Sequence, residues 1–166
     1  MSMIDEAVKA VETYARGYTM GHLPASPNRK LAVVTCMDAR IMVDQILGLK
    51  IGDAHIIRNA GGIVTDDTIR SLIISHYHLF TQEFMIINHT ECGLLTFKDD
   101  DFRRRLQETT GTATIAPDRF YSFTDLEQNV REQVQKVKSH PWVPRHIAVR
   151  GFVYDIRTAR LNEVLG

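Results

Sequence analysis

The stretch LAVVTCM, residues 31–37, decides the fold because it is a continuous run of apolar and β-branched residues. A strand with one solvent-facing side alternates apolar and polar residues, whereas a strand buried on both faces reads as an unbroken apolar run. The run is followed by IMVDQILGL at 41–49, which predicts a short helix that ends at Gly48. A buried strand that leads into a helix is the repeating unit of a parallel sheet.

Two more segments of the same kind follow along the chain. AHIIRNAGG at 54–62 predicts a second strand that runs into two glycines, and EFMIINH at 83–89 predicts a third. Between them, residues 65–80 carry apolar or aromatic side chains at helical spacing, with Thr65 as the predicted N-cap. Repeated strand–helix units predict a mostly parallel β-sheet flanked by helices on both faces.

The N-terminal segment is separated from this body. Ser2 and the apolar residues that follow it predict a capped amphipathic helix. GYTMGHLPASPNRK at 17–30 is rich in Gly and Pro, which is typical of an extended connector. Residues 1–29 are therefore predicted to form an N-terminal helical arm, and we expect its helix to pack on a neighbouring subunit.

The C-terminal part of the chain completes the predicted domain. A short helix is predicted at 99–108, and a capping box at Thr124–Glu127 predicts the start of another. HIAVRGFVYD at 146–155 and RLNEVL at 160–165 bracket a turn and predict a C-terminal hairpin. All of residues 1–166 are thus predicted to form a single α/β domain.

Composition and charge exclude several classes of protein. Lys plus Arg and Asp plus Glu both number 20, so the formal net charge is zero, which argues against nucleic-acid and membrane-surface partners. No apolar run approaches the length of a membrane span. The N-terminal segment carries acids as well as bases, unlike a signal peptide. We therefore expect a cytoplasmic protein whose two cysteines stay reduced.

Metal-ligating side chains end the predicted strands. Cys36 ends the first strand, His89 ends the third, and Cys92 lies in the turn that follows. Because ligands bind outside the carboxyl ends of the strands in an open parallel sheet, we expect these three residues at one rim. Two thiolates and an imidazole form a zinc ligand set, and three protein ligands leave the fourth position open. Alone, Cys36 and His89 are better interpreted as buried core residues, but together they predict a metal site.

Asp38 and Arg40 follow Cys36 closely and lie two positions apart, within reach of a bidentate carboxylate–guanidinium pair. Such a pair holds Asp38 ionised and aims it at the open position of the metal. The carboxylate then either accepts a hydrogen bond from the bound water or occupies the position itself as a fourth ligand in a closed state. Without the neighbouring ligands, Asp38 would be an ordinary acid at the start of a helix.

Three motifs together carry a resemblance to the β-class carbonic anhydrase family: CMDAR at 36–40, RNAGG at 58–62 and HTECG at 89–93. The resemblance extends over nearly the whole chain, from the strand at residue 31 to the hairpin at 165. It implies one Zn²⁺ per chain, CO₂ and bicarbonate as small-molecule substrates, and a catalytic Asp–Arg dyad. The residues so implied are Cys36, His89 and Cys92 for the metal, Asp38 and Arg40 for the dyad, and Asn59, Ala60, Gly61 and Gly62 for the substrate cleft.

The resemblance also implies an assembly and a second activity. In the family, the N-terminal helix embraces a partner in a homodimer, and dimers often pair into a homotetramer. The stretches HIIRNAGG, SHPWVP and VRGFVYDI resemble carbonyl sulfide hydrolases on the same scaffold as much as compact carbonic anhydrases. Glu91 stands where Asp or Arg is common and is expected to point away from the metal.

Four interpretations of function follow from these residues. The first is attack of metal-bound hydroxide on CO₂ to give bicarbonate, and the second is the same attack on carbonyl sulfide to give CO₂ and H₂S. The third is a non-catalytic, zinc-stabilised binding protein. The fourth is redox signalling through a Cys36–Cys92 disulfide, in place of a metal.

Overall fold

The computed structural model describes residues 2–114 and 117–166. Within these residues, five strands form one sheet in the spatial order β2-β1-β3-β4-β5. The first four strands are parallel to their neighbours, and the last pairs antiparallel with the fourth. The mostly parallel sheet and the terminal hairpin are therefore confirmed. The strands are β1 (Leu31–Cys36), β2 (Ala54–Asn59), β3 (Glu83–His89), β4 (Ala148–Tyr154) and β5 (Leu161–Val164).

The described residues form five α-helices, and two short 3₁₀ turns follow β2 and β3. The predicted helix after residue 65 is confirmed, with the Thr65 hydroxyl accepting a hydrogen bond from the backbone N–H of Thr68. The helices are α1 (Met3–Arg16), α2 (Val43–Leu47), α3 (Asp66–Tyr77), α4 (Asp99–Thr110) and α5 (Leu126–Lys138), and the 3₁₀ turns are Ala60–Gly62 and Gly93–Leu95.

Two predicted helix starts differ from the structure. The predicted capping box at Thr124 is wrong, because Asp125 is the N-cap of α5 and its carboxylate accepts from Gln128 N–H at 2.9 Å. A carboxylate both caps a helix and complements its positive N-terminus, so it displaces the neighbouring threonine. Helix α2 begins later than the predicted residue 41, because Ile41 N–H donates to the Asp38 carbonyl in a preceding turn.

Both faces of the sheet are buried, as the unbroken apolar run of β1 requires. One face packs against α3 and α5 through a cluster that includes Val34, Leu72 and Val137. The opposite face holds a second cluster with Val33, Ile87 and Phe152, together with both cysteines. The two clusters fix the position of the carboxyl rim of the sheet, where the predicted metal ligands lie.

Helix α1 stands apart from these clusters. Its N-terminus is capped by Ser2, which exchanges hydrogen bonds with Asp5 in a capping box, so the predicted cap is confirmed. No residue of α1, all of which the structure describes, is buried. Its large apolar side chains, among them Val8 and Val11, face solvent. Among the described residues, no helix has the length and apolar character needed to cross a membrane.

Candidate metal centre

The structure brings Cys36, His89 and Cys92 together at the carboxyl rim of the sheet. Cys36 is the last residue of β1, His89 is the last residue of β3, and Cys92 precedes the 3₁₀ turn Gly93–Leu95. One ligand atom from each residue lies within 4.8 Å of the other two, and all three side chains are buried. Two sulfurs and a nitrogen at this spacing form a site that can hold a metal ion.

His89 is oriented as a metal ligand. Its Nδ1 lies 2.8 Å from the carbonyl oxygen of Thr90, which can only accept, so Nδ1 carries the proton and Nε2 carries the lone pair. Nε2 is completely buried and has no hydrogen-bond partner among the described residues. Leaving a buried polar atom unpaired costs about 1–3 kcal/mol. A metal ion at Nε2 removes this cost, so the residues fit a zinc ion.

The two thiols differ in acidity. The neighbouring Cys92 thiol lowers the pKa of Cys36, against the opposing effect of burial, and His89 adds to the lowering. The same pairing with Cys36 and the burial of the side chain raise the pKa of Cys92. The lowered pKa favours a thiolate at Cys36, and a bound cation would supply the charge that stabilises a second thiolate at Cys92.

The loop that follows β2, residues 60–64, passes close to Cys36 and is called the glycine loop below. Gly61 N–H donates to the Cys36 sulfur at 3.3 Å. Gly61 has φ +81°, and a Cβ there would lie 2.4 Å from Leu94 Cδ2. A Cβ on Gly62 would lie 2.9 Å from the Thr35 carbonyl carbon. Only glycine allows the loop to approach the end of β1 this closely.

The predicted substrate-binding residues have different environments. Ala60 is exposed, whereas Gly61 and Gly62 are buried. Asn59 is half-buried, and its side chain is engaged within the loop: Oδ1 accepts from Ile63 N–H at 2.8 Å, and Nδ2 donates to the Ile63 carbonyl at 2.7 Å. The Asn59 side chain therefore shapes the loop.

Asp38 and Arg40 form the predicted bidentate pair. Arg40 Nε donates to Asp38 Oδ1 at 2.9 Å, and a terminal nitrogen donates to Oδ2 at 2.7 Å. Asp38 Oδ2 also lies 3.8 Å from His89 Nε2, at the edge of the candidate metal site. The Arg40 hydrogen bonds hold the pKa of Asp38 well below its usual range, so the carboxylate is ionised.

Two arginines around this pair, Arg58 and Arg157, were given no role in the sequence analysis. Arg58 donates to the carbonyl oxygens of Cys36 and Asp38, at 2.9 and 2.7 Å, and so fixes the backbone of the CMDAR motif. The Glu91 carbonyl accepts from Arg40 at 3.1 Å, and its carboxylate pairs with Arg157. Arg157 is 66 positions away from Glu91, so no local pattern indicates that pair.

A buried amide network behind the glycine loop was also missed. Asn88 lies inside the apolar strand β3, and Asn129 and Gln133 lie one helical turn apart on the buried face of α5. All three amides stand at positions where the sequence pattern predicts apolar core residues. That mismatch is the signal that could have identified them.

Comparisons with known proteins find both similar sequences and a similar fold. A sequence model of the family described as carbonic anhydrase matches residues 31–161. The chain is 46% identical over 165 residues to Beta-carbonic anhydrase 1 of Mycobacterium tuberculosis, with 99% of each protein covered. It is 31% identical over 180 residues to a carbon disulfide hydrolase of Acidithiobacillus thiooxidans, covering 98% of this chain and 90% of that protein. The crystal structure of carbonic anhydrase from Streptococcus mutans superposes with a TM-score of 0.94 at 43% identity, covering 99% of each chain.

Proposed function

Because the chain belongs to the β-class carbonic anhydrase family, we propose that it is a zinc enzyme that catalyses the reversible hydration of CO₂ to bicarbonate. The observation that carries this proposal is the buried Cys36–His89–Cys92 cluster with an ionised carboxylate at its edge. The 46% identity to a carbonic anhydrase over nearly the full length of both proteins supports the choice of substrate.

In this proposal Cys36, His89 and Cys92 hold one zinc ion per chain. The hydrogen bond from His89 Nδ1 to the Thr90 carbonyl fixes the ring and leaves the Nε2 lone pair available to a zinc ion. When bound, zinc supplies a Lewis acid that activates water as a nucleophile toward an electron-poor carbon. Three protein ligands leave one position for this chemistry, whereas structural zinc sites are usually closed by four.

The Asp38–Arg40 pair orients the reaction. Arg40 holds the Asp38 carboxylate through two side-chain hydrogen bonds, and Arg40 backbone N–H adds a third at 2.9 Å. An ionised, fixed carboxylate accepts a hydrogen bond from the nucleophile and so directs its lone pair toward the substrate. Its position 3.8 Å from His89 Nε2 is also compatible with Asp38 as a fourth ligand in a closed state.

Hydrolysis of carbonyl sulfide to CO₂ and H₂S is the second candidate function. Its support comes from relatives named carbon disulfide hydrolase, which are 31–35% identical to this chain and whose name indicates a sulfur-containing substrate. CO₂ and carbonyl sulfide are both linear, uncharged and attacked at the central carbon. Discrimination by shape is worth only about 1–3 kcal/mol per methylene-sized change, so we expect some activity toward both.

We also propose that the single domain of residues 1–166 assembles as a homodimer through its N-terminal arm, residues 1–29. Helix α1 presents an apolar side that nothing in its own chain buries among the described residues. Between α3 and the segment after α5 lies a cavity of about 330 Å³, lined in part by Ile69, Ile73 and the exposed Trp142. An apolar helix side and an apolar groove on the same chain are suited to reciprocal exchange between two copies. Light scattering distinguishes this dimer from a tetramer.

A cytoplasmic location completes the proposal. Two of the three metal ligands are thiols, and both cysteines are free in the structure. A reducing compartment keeps such thiols available to zinc. Fractionation of cells that express the protein tests this location.

The substrate is tested by two assays on the same zinc-loaded sample. Stopped-flow measurement of CO₂ hydration runs beside detection of H₂S released from carbonyl sulfide and from carbon disulfide. We expect the higher kcat/KM with CO₂. A higher value with a sulfur substrate would support the second candidate, and loss of all three activities in a zinc-replete sample would leave only the binding-protein interpretation.

A further inference from the structure

Three amide side chains form a buried chain of hydrogen bonds behind the candidate metal centre. Asn88 comes from β3, and Asn129 and Gln133 come from α5. Their exposed fractions are only 1%, 6% and 7%. A buried amide destabilises the fold unless its donors and acceptors are paired. The hydrogen-bond partners of these three side chains are therefore informative.

The amide chain begins and ends in the same loop. Val64 N–H donates to Gln133 Oε1 at 2.8 Å, and Gln133 Nε2 donates to Asn129 Oδ1 at 3.0 Å. Asn129 Nδ2 donates to Asn88 Oδ1 at 2.7 Å. Asn88 Nδ2 then donates to the Gly61 carbonyl at 2.9 Å and to the next carbonyl at 3.3 Å. The three amides and the backbone of the loop thus form a closed ring, which connects helix α5 to both sides of the glycine loop.

The two backbone ends of the ring fix its direction. Val64 N–H can only donate and the Gly61 carbonyl can only accept, so each amide in between has one possible orientation. Hydrogen bonds in such a buried chain polarise one another, and loss of one member leaves its neighbours unpaired. Removal of one amide therefore weakens all of the hydrogen bonds that hold the loop.

The loop held in this way contacts a metal ligand directly. Gly61 donates its N–H to the Cys36 sulfur at 3.3 Å, while the carbonyl of the same residue accepts from Asn88. A hydrogen bond to a ligating sulfur fixes its position and withdraws charge from it. The amide ring consequently acts on Cys36 through the orientation of one glycine.

We propose that Asn88, Asn129 and Gln133 are positioning residues for the metal centre, which set the affinity and the electronic character of the Cys36 ligand through Gly61. The inference rests on the proposed zinc binding at Cys36, His89 and Cys92. A purely structural role, in which the amides only anchor α5, is the alternative that the experiment must separate from it.

Zinc affinity measured by competition with a chelator makes that separation. The test variant is Asn129→Leu, which preserves size and removes the central amide. The control is Val137→Ala, which removes packing from the same face of α5 without touching the ring, because Val137 lies in the apolar cluster. Loss of an outer partner of a metal ligand typically weakens the metal by about 10–100-fold, and we expect a loss in that range for Asn129→Leu only.

Gln133→Met interrupts the same ring at its other helical member and is expected to weaken zinc in the same range. It decides the matter if Asn129→Leu does not fold. Equal zinc affinities in the folded ring variants and in Val137→Ala would overturn the inference. If the wild type binds no zinc, the proposed function fails instead, so the two failures are distinguishable.

Cadmium-113 provides a direct readout on the wild-type protein, without any substitution. With ¹¹³Cd bound at the site, we expect a scalar coupling between the metal and the Gly61 amide proton, transmitted through the Cys36 sulfur. The coupling should persist in Val137→Ala and decrease in the ring variants. Its absence from the cadmium-loaded wild type would show that Gly61 does not bond to the ligand and would overturn the inference.

Discussion

The candidate metal-binding rim and the N-terminal arm differ in how much of their environment one chain supplies. Cys36, His89 and Cys92 are enclosed by residues of their own chain. Val8 and Val11 on α1 are 58% and 64% exposed, although their spacing is that of a buried helix side. One chain therefore supplies all three candidate ligands of the rim, whereas it leaves the apolar side of the arm exposed. This difference separates the chemistry of the protein from its assembly and makes each testable alone.

Removal of a rim ligand should have the largest effect. We expect His89→Ala to lose zinc and to lower kcat/KM for CO₂ by at least about a thousandfold, because metal catalysis supplies several kcal/mol and each 1.4 kcal/mol is tenfold in rate. Metal analysis and stopped-flow kinetics measure both effects. The control is His78→Ala, which alters an exposed histidine at the end of α3. Full zinc occupancy in His89→Ala would contradict the assigned ligand set.

Neutralising the carboxylate at the edge of the site should separate binding from catalysis. Asp38→Asn preserves shape but loses the charge, so we expect zinc content near one per chain and kcat/KM lowered by about a hundredfold or more. A matched control is Asp67→Asn, which breaks an exposed Asp–Arg pair on α3. An unchanged rate in Asp38→Asn would mean that the Asp38–Arg40 pair is structural only.

A charge on the arm should affect assembly and leave the rim intact. Val8→Asp places a carboxylate on the apolar side of α1, and burying it unpaired in an interface costs several kcal/mol. We expect the dimer dissociation constant to rise by at least about a hundredfold, with unchanged zinc content. The control Thr13→Asp adds the same charge to the polar side of the helix. Analytical ultracentrifugation of the three proteins would refute an arm-mediated dimer if Val8→Asp and wild type sediment alike.

Substitution of Asp99, which lies away from both regions, should have the smallest effect, a change in the free energy of unfolding. The Asp99 carboxylate accepts from the backbone N–H groups of Phe120, Tyr121 and Ser122 at 2.8, 3.1 and 2.9 Å. Although burial opposes the shift, the Ser122 side chain and these backbone bonds hold the pKa of Asp99 below its usual value. We expect Asp99→Asn to lower the free energy of unfolding by about 1–2 kcal/mol at neutral pH.

The pH dependence of this loss follows from the sign of the shift. A carboxyl group with a lowered pKa in the folded state stabilises the protein above its unfolded pKa, which is about 3.9 for Asp, and this contribution is lost as the pH falls through the folded pKa. The difference between wild type and Asp99→Asn should therefore be largest at neutral pH and shrink in acid. Urea denaturation at several pH values measures it. A difference that grows in acid would contradict the role of the carboxylate.

The residues brought together at the rim could be predicted because they depend on strand ends. An apolar run marks where β1 and β3 stop, and parallel pairing brings those ends to one edge, so Cys36 and His89 meet although 53 positions separate them. Asp38 and Arg40 could be paired because they are close in sequence. Helix α1 could be predicted from spacing and its Ser2 cap.

The contacts among the supporting residues could not be predicted because they depend on side-chain geometry across the fold. Asn88 and Asn129 are 41 positions apart, and nothing local indicates that β3 and α5 place their amides in contact. Glu91 and Arg157 meet only because β4 returns beside β3. The backbone enters α5 one residue later than predicted, so Asp125 and not Thr124 is the N-cap. The sequence pattern does not distinguish these two neighbouring positions.

Removal and restoration of zinc in the wild-type protein tests the central claim most directly. A chelator should abolish CO₂ hydration while the fold persists by circular dichroism, and one equivalent of zinc per chain should restore the rate. The restored activity should plateau at that ratio, because each chain carries one enclosed cluster of two thiols and an imidazole in its described residues. A rate of CO₂ hydration that is unchanged in fully zinc-free protein would contradict the assignment of the rim as the catalytic centre.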